Sequence, residues 1–306
     1  MKKDPLAVAD SHSFKPLALG LVPVVSWGAS FIATKVLLRE LPGGAIVWLR
    51  FGVGTMVLAA FAVGRGERLA VPVRTLASFA FLGFLGIAFH QWLQINGLVT
   101  AKASTAAWII TTTPVFIALL GRFVLREVLG LFRAAGIAVA AFGVLLVVSG
   151  GDIRALFLGE TGTTGDLLVL ASAVNWAVFS VISRRILKKQ SPTVAMLYVM
   201  TAGWLFSSVL LPAPSGLWNG LVHLSASGWW CLAFLGPVCS GVAYVFWYDA
   251  LKVLPAARVG ALLYIEPLVA MAVAVVVLGE PVHTAALGGG FLILGGVWMV
   301  NRRPSH

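Results

Sequence analysis

The sequence predicts an all-α membrane protein of ten transmembrane helices, arranged as two inverted five-helix repeats. Three observations carry that expectation. Apolar residues make up 59% of the 306 and charged residues only 11%, against roughly 25% charged in soluble domains. The apolar residues gather into ten runs, each long enough to cross ~30 Å of hydrocarbon at ~1.5 Å per residue. The chain also repeats itself. With Pro114 set on Pro267, an offset of 153, the register holds without a gap from Leu93 to Gly150. It places Asn96 on Asp249, Leu98 on Leu251, Glu127 on Glu280, Gly136 on Gly289 and Gly143 on Gly296. An earlier block repeats at an offset of 149, with Ser26-Trp27 on Asn175-Trp176 and Lys35 on Arg184.

The spans fall at 17–38, 45–64, 75–98, 103–125, 131–149, 165–186, 193–212, 227–250, 256–278 and 283–301. They are apolar on nearly every face, as lipid-embedded helices are, and show none of the short alternating segments of a membrane barrel. Five spans per copy is an odd number, so the second copy crosses the membrane in the opposite sense to the first. The expected units are 1–150 and 151–306, with a site near the midplane where they meet. The run beginning at 17 follows a polar stretch without a small-residue cleavage pattern, and is read as an uncleaved span.

Charge supplies the orientation. With the amino terminus inside, the inner segments carry seventeen Lys and Arg residues. The outer ones carry five: Lys35, Arg39, Arg50, Lys102 and Arg154. Basic residues concentrate on cytoplasmic loops, so both termini are expected in the cytoplasm. The net charge of +11 is thereby assigned to the anionic cytoplasmic leaflet and not to nucleic acid, which is expected to play no part.

Polar and aromatic residues in mid-span are the candidates for a binding site, because a polar group in hydrocarbon is costly unless it faces a partner or a wet cavity. The first span offers Trp27 and Ser30. The third offers His90, Gln91, Gln94 and Asn96, and the fourth Trp108 and Thr111 to Thr113. The sixth offers Asn175, Trp176 and Phe179. The eighth offers Ser240, Tyr244, Trp247, Tyr248 and Asp249, and the ninth Tyr264 and Glu266. From these the predicted substrate-binding set is Trp27, Ser30, His90, Gln94, Trp108, Asn175, Trp176, Phe179, Tyr244, Tyr248, Tyr264 and Glu266.

Several of these have a structural alternative. His90 serves equally as a helix-to-helix hydrogen-bonding residue, and Thr111 to Thr113 as acceptors' partners for carbonyls freed by Pro114. Glu266 reads as an ammonium ligand, a proton coupler or the partner of a mid-bundle donor. Asp249 and Lys252, three apart, are expected to pair. Glu127 and Glu280, at span ends, are expected at helix boundaries. Trp229 and Trp230, at a span's outer edge, fit the headgroup belt.

Pro114 and Pro267 stand at equivalent places in the two copies. A mid-span proline removes a backbone hydrogen bond, and a broken helix at a binding site is the expected result. They are the predicted hinges. The small residues of the fifth and tenth spans, Gly136, Gly143, Gly289 and Gly296 among them, suit close helix packing, as scaffold or in a homodimer. Cys231 and Cys239 lie eight apart on one helix, ~12 Å of rise, too far for a disulfide.

Taken together, Ser26-Trp27-Gly28, Arg50-Phe51 and the duplicated Pro114-to-Glu127 and Pro267-to-Glu280 blocks resemble the drug/metabolite transporter superfamily, in the branch built from two five-helix EamA units. The likeness covers nearly the whole chain. It implies ten spans, an inverted repeat and export of small metabolites across a bacterial inner membrane. Within the branch the chain looks most like the exporters of aromatic amino acids, which implies an amino-acid substrate and alternating access. The chain shows no His-Glu-x-x-His or Gly-x-Ser-x-Gly pattern. It is therefore read as a non-enzyme without cofactor or metal. The alternatives are a passive pore, for which no filter-like element is seen, and an intramembrane enzyme.

Overall fold

A computed structural model describes residues 14–124, 130–158, 162–186, 191–211, 214–254, 259–260 and 262–301. They are helical, and no strand occurs among them. Ten crossings follow in order. They are α1 Phe14–Leu37, α2 Gly43–Gly64, α3 Val73–Thr100, α4 Ala103–Ile110 continued by Thr113–Val124, α5 Leu131–Ser149 and α6 Thr164–Ile186. Then come α7 Pro192–Ser207, α8 Ala226–Leu251, α9 Leu263–Leu278 and α10 Thr284–Asn301. Nine helices among the described residues are long and apolar enough to span a bilayer, and α9 is shorter. The predicted ninth span begins at 256, and residues 255–258 and 261 lie outside the described set. Short helices Ile153–Phe157 and Pro214–Val222 occupy connections.

The packing of these helices is two-fold. α1 lies on α8 and α9, as α6 lies on α3 and α4. α2 lies on α8, as α7 lies on α3. The pairs α2–α7, α4–α9 and α5–α10 each join equivalent members of the two copies. Every one of these contacts is preserved when helix n is exchanged for helix n+5, which is what two inverted five-helix repeats require.

Large apolar side chains also cover the outside. Met56, Val276, Phe291 and Trp230 are 68%, 84%, 68% and 77% exposed. No aqueous surface of this size tolerates such a coat, so lipid is its solvent and the chain is a multi-pass membrane protein. Trp229 and Trp230 stand exposed at the start of α8.

Glycine sets the closest approaches. A Cβ on Gly143 would sit 2.6 Å from the Gly289 carbonyl, and one on Gly296 2.5 Å from the Gly136 carbonyl. The small-residue faces of α5 and α10 are thus consumed by each other as scaffold inside one chain.

Helix irregularities fall in α3, α4, α8 and α9. α3 runs through a π segment at Phe84–Phe89, and α8 through one at Phe234–Val242 that contains Pro237. A π turn inserts an extra residue and leaves its carbonyls poorly bonded. α4 breaks at Thr111–Thr112, just before Pro114. Thr113 Oγ1 donates to Ile110 O (2.7 Å), the carbonyl that Pro114 has no N–H to reach. At the equivalent place in α9, a 3₁₀ turn over Leu263–Ile265 precedes Pro267, and the Glu266 N–H bonds Leu263 O.

Arg50 and Lys35, both counted on the outer side, lie within helices. Arg50 lies inside α2 and is 6% exposed, because the helix starts at Gly43 and two turns carry it inward. Lys35 lies in the last turn of α1, where Nζ donates to Ala101 O. Asp249 forms a bidentate pair with Arg65, at 3.0 and 2.6 Å, which ties the end of α8 to the end of α2. The side chain of its predicted partner Lys252, and Glu127, lie outside the described residues.

Candidate substrate-binding cavity

A cavity of about 450 Å³ lies between the two copies. Its walls come from α1 to α4 and α6 to α9, the helices that the two-fold packing brings together. It extends toward one membrane face. Ile117 of α4, Ser180 and Ser183 of α6 and Leu251 of α8, in the C-terminal halves of their helices, line it there with Met196 near the start of α7 and Gly260 just before α9, which alternating crossings bring to one face. Toward the opposite face the ends are tied. The Glu280 carboxylate accepts from Ala103 N (3.0 Å), Ser104 N (3.3 Å) and Ser104 Oγ (2.5 Å), capping the start of α4 from the end of α9. Gly279, at φ +66°, makes the turn that delivers it. Gly165 N donates to Thr100 Oγ1 (3.0 Å), joining α6 to α3.

Most of the predicted substrate-binding set lines this cavity: Trp27, Ser30, His90, Gln94, Trp176, Phe179, Tyr244, Tyr248, Tyr264 and Glu266. Gln91, Thr111, Thr113 and Pro114 line it too. The rings are held by packing. Trp27 Nε1 donates to Cys239 O (3.0 Å), a carbonyl within the α8 π segment, and its ring lies 5.3 Å from those of both Tyr244 and Trp247. Trp176 stacks on Phe179 at 4.8 Å and meets His90 at 4.9 Å. Gly86, without a Cβ, leaves the space that the Phe179 ring fills. His90 Nδ1 lies 3.2 Å from Ser172 O, so this residue both lines the cavity and ties α3 to α6.

Two members of the predicted set lie elsewhere. Asn175 Nδ2 donates to Leu85 O (2.8 Å), inside the α3 π segment. A side-chain amide is spent on a carbonyl that the π turn frees, so the residue is turned away from the cavity. Trp108 is 1% exposed and its ring covers Gly290 of α10, where any Cβ would clash at 2.5 Å. It serves the α4–α5–α10 core. Asn96 is exposed and bonds back to Trp92 O. Pro267 is buried beside the α9 break and does not line the cavity, whereas Pro114 does.

The two copies contribute different chemistry at equivalent places. Gln91 and Gln94 stand where α8 has Tyr244 and Trp247, and Thr111 and Thr113 where α9 has Tyr264 and Glu266. At these positions the first copy contributes amides and hydroxyls, and the second aromatics with one carboxyl. The residue that sequence reasoning missed is Arg50, which lines the cavity from α2. Its depth in the apolar run beginning at Gly43 was the available signal.

The profile of the EamA-like transporter family matches residues 14–149 and 163–302, one match per copy. The chain belongs to the EamA-like transporter family. A relative in Streptantibioticus cattleyicolor, described as a probable terminal-alkyne amino-acid exporter, is 33% identical over 284 residues, 92% of each chain. A probable amino-acid metabolite efflux pump of Salmonella typhimurium is 30% identical, covering 92% of this chain and 93% of its own. A crystal structure of a protein 24% identical superposes with a TM-score of 0.65, over 94% of this chain and 96% of that one, and shows the same fold. The two matches fall on the two five-helix copies.

Proposed function

We propose that this transporter exports small metabolites, most specifically amino acids with aromatic or large apolar side chains, by alternating access. The observation that carries the reading is the cavity at the junction of the two copies, walled on one side by Trp27, Tyr244, Trp247 and Tyr248 and on the other by Trp176 and Phe179. Aromatic walls favour ring stacking by ~0.5–1.5 kcal/mol beyond area burial, and they attract an ammonium through cation–π contact. Glu266 supplies a carboxyl for that ammonium, or for a coupled proton. The relatives named as amino-acid exporters support the same class of cargo.

In this reading the units 1–150 and 151–306 rock about the cavity. The protein sits in a bacterial inner membrane with both termini in the cytoplasm, following the distribution of Lys and Arg. The cavity then extends toward the cytoplasm, and the Glu280 contacts close the outer face. Uptake of labelled amino acids into proteoliposomes, with and without an imposed pH gradient, tests the proposal. Saturation and exchange with unlabelled phenylalanine or tryptophan are expected, and non-saturating flow sinks it. Stimulation by the gradient assigns proton coupling, and indifference to it assigns facilitated diffusion. Trp176→Ala is expected to lower phenylalanine export about tenfold at equal membrane abundance, from lost stacking and apolar area.

A further inference from the structure

Arg50 is a guanidinium deep in a membrane bundle with no ion-pair partner among the described residues. It is 6% exposed, and no carboxylate of the described residues stands within ion-pair distance of it. Its Nε donates to Ser240 Oγ (3.1 Å), and its guanidinium carbon lies 4.9 Å from the Phe51 ring centroid. Those contacts fix the plane of the group. The two Nη groups, bonded to nothing among the described residues, are left for the cavity that Arg50 lines.

The surroundings are shaped to hold it there. Gly54, one turn beyond Arg50, lets α8 come so close that a Cβ would sit 2.6 Å from Ser240 Cβ and 2.7 Å from Ser240 O. The α8 π segment presents that serine. The positions that match Arg50 in the second copy are Val199 at offset 149 and Gly203 at 153, and neither is charged. The positive pole therefore exists on one side of the cavity only.

We infer that Arg50 is the anchor for an anionic group on the cargo, a single carboxylate received on its two free Nη groups. A planar guanidinium with a parallel pair of donors matches a carboxylate, and the dry surroundings strengthen such a pair. One cation in a cavity that also holds the Glu266 carboxyl does not suit a doubly charged phosphate. The inference deepens the proposed function and rests on the same cavity. It adds that the acid end of the cargo, not only its side chain, is read.

The test uses the full chain in detergent or proteoliposomes. Four ligands compete against labelled phenylalanine and are also assayed directly: phenylalanine, phenylalaninamide, 3-phenylpropionate and phenethylamine. Wild type is expected to prefer phenylalanine over its amide by on the order of 10- to 100-fold, the range for charge-assisted hydrogen bonds. Arg50→Gln is expected to erase that preference while phenethylamine binding stays within about twofold. Arg50→Lys, which restores charge without the fork, is expected to recover only part of it. Equal loss of all four ligands in Arg50→Gln overturns the anchor and leaves a structural role. A wild type that binds neither carboxylate overturns it without any variant. Binding of 3-phenylpropionate but not phenylalanine, lost in Arg50→Gln, keeps the anchor and removes the amino-acid reading.

Discussion

Single atoms decide how closely the copies can approach at the cavity. A Cβ on Gly28 would stand 2.6 Å from the Glu266 carbonyl and 3.0 Å from Val269 Cβ. A backbone oxygen beside a helix break cannot step aside cheaply. Gly28→Ala is therefore expected to cost about 1–3 kcal/mol, read as a lower melting temperature in detergent, with export reduced in parallel. Outside the membrane, the Glu40 carboxylate accepts from Ser225 N (2.8 Å) and Ser225 Oγ (2.7 Å). The backbone bond first, then the hydroxyl, holds its pKa below the ordinary glutamate value. A depressed acid contributes stability that is fully present above the unfolded pKa, and that stability is lost as pH falls through the folded one. The difference in melting temperature between wild type and Glu40→Gln is thus expected near neutrality and should vanish as pH drops below the ordinary glutamate range. A difference that grew on acidification would refute the assignment. The aromatic positions were legible at this scale, since Trp27 and Trp176 recur between copies at mid-span. Asn175 was not, because a mid-span amide looks the same whether it meets cargo or a carbonyl freed by a π turn. Arg50 was passed over because it was counted with the outer basic residues and not among the mid-span polar groups.

Among the helices, the glycines of α10 provide their own control. Gly289 and Gly296 face α5 with no room for a methyl group, whereas nothing lies within 4 Å of a Cβ on Gly288 or Gly295. Alanine at either of the first two is expected to lose about 1–3 kcal/mol. At either of the second two it is expected to be neutral or to gain up to about 1 kcal/mol from reduced backbone entropy. Thermal melts of the four single variants check this, and a uniform response would refute the interlocking seen here. Glu280 acts across elements. Its loss in Glu280→Ala removes the cap on α4, worth ~0.5–2 kcal/mol, and hydrogen exchange at Ala103 and Ser104 should quicken locally while α5 is unchanged. Span positions were legible because lipid imposes one length and one polarity on every crossing. The breaks before Pro114 and Pro267 were legible because proline lacks an N–H. The π segments were not, since no residue type demands them.

For the molecule as a whole, duplication was the most legible property, because an odd number of crossings per copy dictates inversion by arithmetic alone. Tags on the two termini are expected to be labelled from the cytoplasmic side only, and opposite sidedness would remove the orientation assigned from charge. What duplication could not disclose is how far the copies have diverged around the cavity, where Gln91 and Gln94 oppose Tyr244 and Trp247. The lone guanidinium carries that divergence furthest. A cation with no ion-pair partner among the described residues, facing a chamber screened from bulk water, makes the cargo-free chamber a well for small inorganic anions, chloride first among them. Such an ion would have to leave before an acidic cargo could enter. Apparent affinity for phenylalanine should then weaken as chloride is raised at constant ionic strength against a bulky anion such as gluconate, and that sensitivity should be absent in Arg50→Gln.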